Sequence, residues 1–286
     1  MRRLFQKKSV AGPVGLLLGS DRLWLAGAEP APLFASQPVN GPQEWSSAIG
    51  SLLSHQGMAR RPVRVVLAAG LYQQIQIDKP AVPEPEILGA LPWAIKDYVS
   101  ESVLQLALDY VDLPTAPAGR PRINVIAVSK SRIQAVADAV NSVAELVYIT
   151  IDELALGRLF AQDQSVRLLL WQPAGQDLQL LVFQQGGLCF SRVLRGFKGL
   201  AAAEPDAMEL DSLALEIQRS LDYLQGQLKL PECASLQLAL SSPGLGALIR
   251  HLEQTFGFAV SAMANKAILS GIDYLPAYAL ARSAQP

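Results

Sequence analysis

The stretch that decides the fold is Val14–Gly27, "VGLLLGSDRLWLAG". An apolar run from Val14 to Leu18 enters Gly19-Ser20-Asp21-Arg22 and leaves as a second apolar run, Leu23 to Ala26. Strand, Gly-Ser turn and strand is how several folds present backbone N–H groups to a phosphate. A metal-dependent phosphate site places a carboxylate on the strand two residues before that glycine, and here the position holds Leu17. The stretch is either a nucleotide grip without its acid or a plain hairpin.

Around it, the bulk numbers narrow the class. The chain has 286 residues, half of them hydrophobic and 17% charged, a composition that buries a core and argues against disorder. Net charge is −1 with no long basic run, so nucleic-acid binding is not expected. Cys189 and Cys233 are the only cysteines and read as buried thiols in a reducing compartment. His55 and His251 lack metal-ligand spacing, so no metal site is expected. No apolar stretch reaches the roughly 18–20 residues of a spanning helix. The N-terminus "MRRLFQKKS" is basic without the apolar region of a signal peptide. Its Arg2, Arg3, Lys7 and Lys8 around Leu4 and Phe5 read as a solvated tail, with contact to an anionic membrane surface as the alternative. The expectation is a soluble cytoplasmic protein.

Downstream, Trp45, Ile49, Leu52 and Leu53 recur at helical spacing after Gly41-Pro42. "PVRVVLAAGLYQQIQID" reads as two strands broken at Ala69-Gly70, and Pro80 and Pro83 mark a boundary. A helix through about Val99 follows, with Glu84 and Glu86 in its first turn, where negative charge suits the helix dipole. Residues 80–150 then read as α, β, β, α, β. A second strand pair, "VRLLLWQP" and "DLQLLVFQQ", leads into the strand "LCFSRVLRG" and a one-sided helix over about Ala207–Lys229, stopped by Pro231. Two hairpin-led units, from Val14 and from Val166, make a coarse duplication.

With these elements in order, the chain resembles the actin-like ATPase fold in its PilM branch. "LALDYVDL" (106–113), "INVIAVSKSRIQAVADAV" (123–140) and "ITIDELALGRLF" (149–160) resemble the inserted subdomain and exit helix of PilM-type proteins. "GLCFSRVLRG" (187–196), "DSLALEIQRSLDYLQGQL" (211–228), "LQLALSSPGLGALIRHLEQTFG" (236–257) and "YLPAYALAR" (274–282) continue the resemblance in order. "LPWAIKDYVSE" and "EIQRSLDYLQGQL" look most like the PilM-like branch of the MSHA type IV pilus system. The resemblance implies an α/β fold, actin-like and duplicated on the RNase H plan, with an inserted α/β subdomain of the PilM/FtsA type. Its expected boundaries are a basic N-terminus (1–10), the first half of domain 1 (11–79), the insert (80–148), a return to domain 1 (149–165), domain 2 (166–271) and a C-terminal segment returning to domain 1 (272–286).

The same resemblance implies a cytoplasmic component at the inner face of the membrane. Its partners would be the tail of a PilN-like bitopic membrane protein and the pilus assembly motor. A GspL-like secretion protein is the alternative setting. Such proteins continue into a transmembrane helix, which this sequence lacks.

Where PilM-type hairpins read close to "G-I-D-I-G-S", this one reads Gly15-Leu16-Leu17-Leu18-Gly19-Ser20, and Asp21 lies past the turn. In the second hairpin the family's "D-x-G" falls on Leu170-Trp171-Gln172-Pro173, where Trp171 crowds a phosphate and Pro173 removes a donor. The far side of the pocket keeps more: Gly244 and Gly246 near an adenosine loop, and the pair Glu216 and Arg219, which also reads as an i,i+3 surface pair. Gly19, Ser20, Glu216, Arg219, Gly244 and Gly246 are therefore the candidate vestigial nucleotide pocket. No catalytic residue, hydrolysis or cofactor is expected, with ATP and magnesium as the alternative. Asp109 and Asp112 read as a solvated strand edge. Trp93 and Tyr98, flanked by Glu84, Glu86, Asp97 and Glu101, are the candidate partner-binding aromatics, a core position being the competing reading for Trp93.

Overall fold

The structure is a computed structural model describing residues 12–29, 31–113, 119–173 and 175–282. The basic N-terminal segment lies outside the described residues. In chain order the first half comprises β1 (Val14–Leu18), β2 (Arg22–Gly27), β3 (Leu33–Pro38), α1 (Trp45–His55) and β4 (Pro62–Leu67). Then come β5 (Gln73–Asp78), α2 (Ile87–Ile95), β6 (Leu106–Asp112), β7 (Arg122–Ser129), α3 (Lys130–Asn141), β8 (Glu145–Ile151) and α4 (Asp152–Gly157). The second half comprises β9 (Val166–Trp171), β10 (Leu178–Gln184), β11 (Gly187–Leu194), α5 (Ala207–Gly226), β12 (Cys233–Ala239), α6 (Leu245–Phe256), β13 (Ala259–Ala262), α7 (Lys266–Ser270) and α8 (Leu275–Arg282).

The two five-stranded sheets share one plan. The first runs β3-β2-β1-β4-β8 and the second β11-β10-β9-β12-β13. In each, three consecutive strands form an antiparallel meander and two parallel strands extend the sheet from the first strand of the meander. The duplication read from the two hairpins is thus a duplication of topology.

β1 is buried along its whole length, as a central strand covered on both faces requires. Alternation splits its side chains between two cores. Val14, Leu16 and Leu18 pack with Trp45, Ile49 and Leu53 of α1 and Val136 and Val140 of α3. Leu17 faces the other way, into a cluster shared with the second half. On that side α8 lies directly on the strand: a Cβ at Gly15 would stand 1.9 Å from the Ala277 carbonyl oxygen. The glycine sets the depth at which the last helix docks.

The third sheet, β5-β7-β6, is small. One face, with Ile75, Ile77, Leu106, Ile123 and Val125, is covered by Ile87, Leu91 and Ile95 of α2. The opposite face of β7, Ile126 and Val128, joins the core of the first half. This sheet takes β5 from before residue 80, whereas β8 pairs with β4 in the first sheet. The helix expected to run to about Val99 stops at Ile95, with Tyr98 N–H closing a turn onto the Ile95 carbonyl. Pro92 inside it removes one backbone donor and weakens the propagation. The long helix ends at Gly226 rather than Lys229. Among the described residues no helix is long and apolar enough to cross a membrane.

Candidate functional site

The first hairpin turns on Gly19, whose N–H donates to the Arg22 carbonyl at 2.9 Å. Its own carbonyl accepts the Trp45 indole N–H at 3.0 Å. A Cβ there would meet the Trp24 ring at 2.6 Å and Arg22 O at 2.9 Å, so the glycine is required by the turn itself. Both polar groups of Gly19 are committed within the protein. Ser20 and Asp21 are exposed beyond it.

At Leu17 and Leu170, where the resemblance would put the magnesium-side acids, the structure holds buried apolar side chains. Leu17 (3% exposed) and Trp171 (1% exposed) belong to one buried cluster with Leu169, Ala239, Tyr278 and Leu280, contributed by both halves. Gln172 is buried too; its N–H bonds to Ala239 O and its side-chain amide donates to Phe197 O. These side chains do not fit a magnesium nucleotide. Among the described residues no three His, Cys, Asp or Glu side chains converge to hold a metal ion.

The remaining candidates sit on α5 and at the start of α6 in the second half. Glu216 accepts from Arg219 Nη1 and Arg192 Nη2, each at 2.5 Å, so its carboxylate is shared by two guanidinium groups. The Glu216–Arg219 pair is real, and the sequence reading missed its third member on β11. Gly244 precedes α6, and a Cβ there would stand 2.4 Å from Pro205 Cδ, next to the start of α5. Glu216 lies nine residues along α5 from Ala207, roughly 14 Å at 1.5 Å per residue. Gly246, in the first turn of α6, has open space except for the Arg250 side chain.

Trp93 and Tyr98 are 78% and 66% exposed. The core reading of Trp93 is overturned: α2 buries Ile87, Leu91 and Ile95, one side of the helix, and Trp93 falls on the other. Glu84, read as part of a solvated acidic flank, accepts the Tyr110 hydroxyl and pairs with Lys79, which also holds Asp112 at 2.7 Å. Hydrogen bonds to those two carboxylates push the partly buried Lys79 up to about 12. Asp109 is an exposed residue of β6. Cys189 and Cys233 are free thiols, each pushed up to about 11 by burial, which keeps them protonated.

An apolar concavity lies elsewhere. A cavity of ≈ 200 Å³ is lined by Ala107–Val111 of β6, Ile126 and Val128 of β7, Ile133 of α3, Ile149–Ile151 of β8, and Leu67 and Leu154. β6 and β8 are each the last strand of their sheet. Consecutive rather than alternate residues of both strands line the space, so backbone edges as well as side chains face it. Val111, Thr150 and Leu154 also line a second cavity, which continues past Tyr148, Ala155, Arg158 and Gln162 to the β10–β11 turn at Gln185-Gly186-Gly187. The two form one trough, apolar at the insert and polar at the second half. Its aromatic neighbours are not Trp93 and Tyr98, because α2 covers the opposite face of the small sheet.

Behind the trough stands a carboxylate pair that the sequence reading passed over, although "ITIDELALGRLF" contains it. Asp152 is fully buried at the start of α4 and accepts the Tyr72 hydroxyl at 2.6 Å and the Ala69 N–H at 2.7 Å. Burial, the largest influence, pushes its carboxyl up to about 7 against the opposing hydrogen bonds. Glu153, raised by the same cause, accepts the Gln74 amide and a bond from Ser191 of β11. Asn124 in turn donates to Gln74 at 2.6 Å. The pair thus ties the β4–β5 link to α4 and to the second half. Two adjacent acids opening a helix whose other side chains are mostly apolar were the available signal.

No family model and no curated protein matches the chain. Solved structures do. One, described as a PilM-PilN type IV pilus biogenesis complex, superposes over 97% of this chain and 100% of that chain at 20% identity, with TM-score 0.67. The cytoplasmic domain of EpsL, described as an inner-membrane component of the type II secretion system of Vibrio cholerae, does so over 96% of each chain at 16% identity, with TM-score 0.54. A Bacteroides thetaiotaomicron protein described as having an actin-like ATPase fold matches over 93% of this chain and 97% of that one, at 12% identity and TM-score 0.52. At these identities the likeness is one of architecture, and with the duplicated sheets it makes this chain a protein of the actin-like ATPase fold.

Proposed function

We propose that this chain is a non-hydrolysing actin-like scaffold of a type IV pilus inner-membrane complex. In this reading it captures the cytoplasmic tail of a PilN-like membrane protein in the trough between β6 and β8. The observation that carries the reading is the pair of open sheet edges lining one apolar groove. An extended peptide entering it can add main-chain hydrogen bonds to an edge and seat alternate side chains on Val111, Ile126 and Ile149. The likeness to a chain described in complex with PilN supports the choice of partner, and the resemblance of residues 91–101 and 216–228 to MshI, the PilM-like protein of the MSHA pilus system, supports the MSHA setting. Buried Leu17 and Trp171, and the engaged N–H of Gly19, support a nucleotide site without magnesium chemistry. The protein would sit at the cytoplasmic face of the inner membrane through its partner, with the assembly motor as a further contact. Trp93 and Tyr98, exposed on the other face of the small sheet, are proposed as a separate partner surface.

The likeness to the EpsL cytoplasmic domain favours one second reading, a GspL-like role in secretion. Titration calorimetry with a synthetic PilN-like tail and a GspL-partner tail discriminates the two. Micromolar binding of the first, abolished by Ala107→Trp, is the expected result. Binding that survives this filling of the groove, or no binding at low and moderate salt, overturns the proposal.

A further inference from the structure

We infer that the trough selects its peptide by a carboxylate: the segment that follows the apolar stretch carries an acidic residue, bound by Arg158 and Tyr148. This rests on the proposed reading of the trough as a peptide groove and specifies what the peptide must contain.

Two observations on the polar half of the trough carry it. Arg158, one residue after α4, lines this half and is exposed, and its guanidinium makes no hydrogen bond or ion pair with any described residue. None of the twelve residues lining this half is Asp or Glu; beside Arg158 the polar ones are Tyr148, Thr150, Gln162, Gln185 and the backbone of Gly186-Gly187. The Tyr148 hydroxyl is buried without a hydrogen-bond partner among the described residues. A buried hydroxyl with no partner is costly and marks a place where a ligand can supply the missing bond.

Geometry holds these groups in place. The β10–β11 turn has Gln185 at φ 54° and Gly186 at φ 72°, the paired left-handed conformation of a tight hairpin. It packs on α4 so closely that a Cβ at Gly157 would stand 2.5 Å from Gly186 O. Arg158 follows that glycine, so its backbone is fixed at the contact between the halves and its side chain starts there. A free cation, an unpaired donor and no competing acid make an anion site, and a planar guanidinium matches a carboxylate with two parallel bonds. Because Val111, Thr150 and Leu154 are common to both cavities, a peptide lying along the edge strands reaches Arg158 within a few residues.

The test uses the full chain and fluorescein-labelled 12-residue peptides, each an apolar β-forming half followed by a polar half carrying one Glu, Gln or Lys at each position in turn. The expected result is a best Glu peptide that binds at least ~10-fold tighter than its Gln counterpart. The preference should disappear in Arg158→Gln and pass to the Lys peptide in Arg158→Glu, with melting temperatures unchanged. Tyr148→Phe should weaken the Glu peptide several-fold while leaving the free protein as stable or more so. Equal affinity of Glu and Gln peptides for the unaltered chain overturns the carboxylate requirement and leaves the groove reading standing. No binding by any peptide overturns the groove reading and this inference with it.

Discussion

The Tyr72 hydroxyl donates to Asp152 Oδ1 at 2.6 Å, joining the β4–β5 link to the helix that crosses between the halves. Asp152 is raised from 3.8 to about 7, so the folded chain keeps a proton that the unfolded chain has released. The stability from this group is full below about pH 4 and is lost as pH rises to about 7, on the order of a few kcal/mol. Melting temperatures of the unaltered chain and Asp152→Asn between pH 4.5 and 8.5 check this. The two curves should diverge with rising pH in favour of the variant. Glu153, also raised by burial, leaves a residual slope of the same sign in both. Parallel curves would show that Asp152 ionises as it does in water.

Gly15→Ala should cost more than about 3 kcal/mol, because its Cβ would meet backbone rather than a side chain that can turn away. Gly50→Ala in α1, with nothing within 4 Å of its Cβ, is the matched control and should gain roughly 0.5–1 kcal/mol. Urea denaturation of both variants reads the difference directly.

Trp93→Ala should change stability by no more than about 0.5 kcal/mol, since the side chain is 78% exposed. Trp45→Ala should lose about 3–5 kcal/mol, giving up a buried ring and its bond to Gly19. A comparable loss in both would put Trp93 back in the core.

How far the sequence could be read follows from what kind of interaction fixes each feature. β1 and its Gly-Ser turn were legible because a strand buried on both faces and a hairpin glycine leave local marks. The repeated unit at Val166 was legible for the same reason. The sheet membership of β5 and β8 was not: Pro80 and Pro83 look like a boundary, but pairing partners are chosen by tertiary register. Trp93 was ambiguous because Ile87, Leu91 and Ile95 define a buried stripe that only the packed sheet orients. Arg158 and Tyr148 carry no motif at all. Their significance comes from neighbours that bring no acid, which is a property of the fold and not of any spacing.

The same distinction governs the nucleotide question. Leu17 and Trp171 lie in a cluster continuous between the two halves, so a carboxylate at Leu17 would be buried without a partner. Leu17→Asp should therefore cost several kcal/mol and should not create a magnesium site, since the Gly19 N–H is already bonded to Arg22. A ligand at about 100 times its dissociation constant adds about 2.7 kcal/mol to the folded state. In a chain of this size that moves the melting temperature by several degrees. With saturating Mg·ATP the unaltered chain should show no shift, and Leu17→Asp should melt lower with and without nucleotide. A shift in the unaltered chain would mean that Glu216, Arg219 and the Gly244 loop bind adenosine without the hairpins. The nucleotide would then bias the contact between the halves at Gly157 and Gly186, and the trough's polar end would move with it.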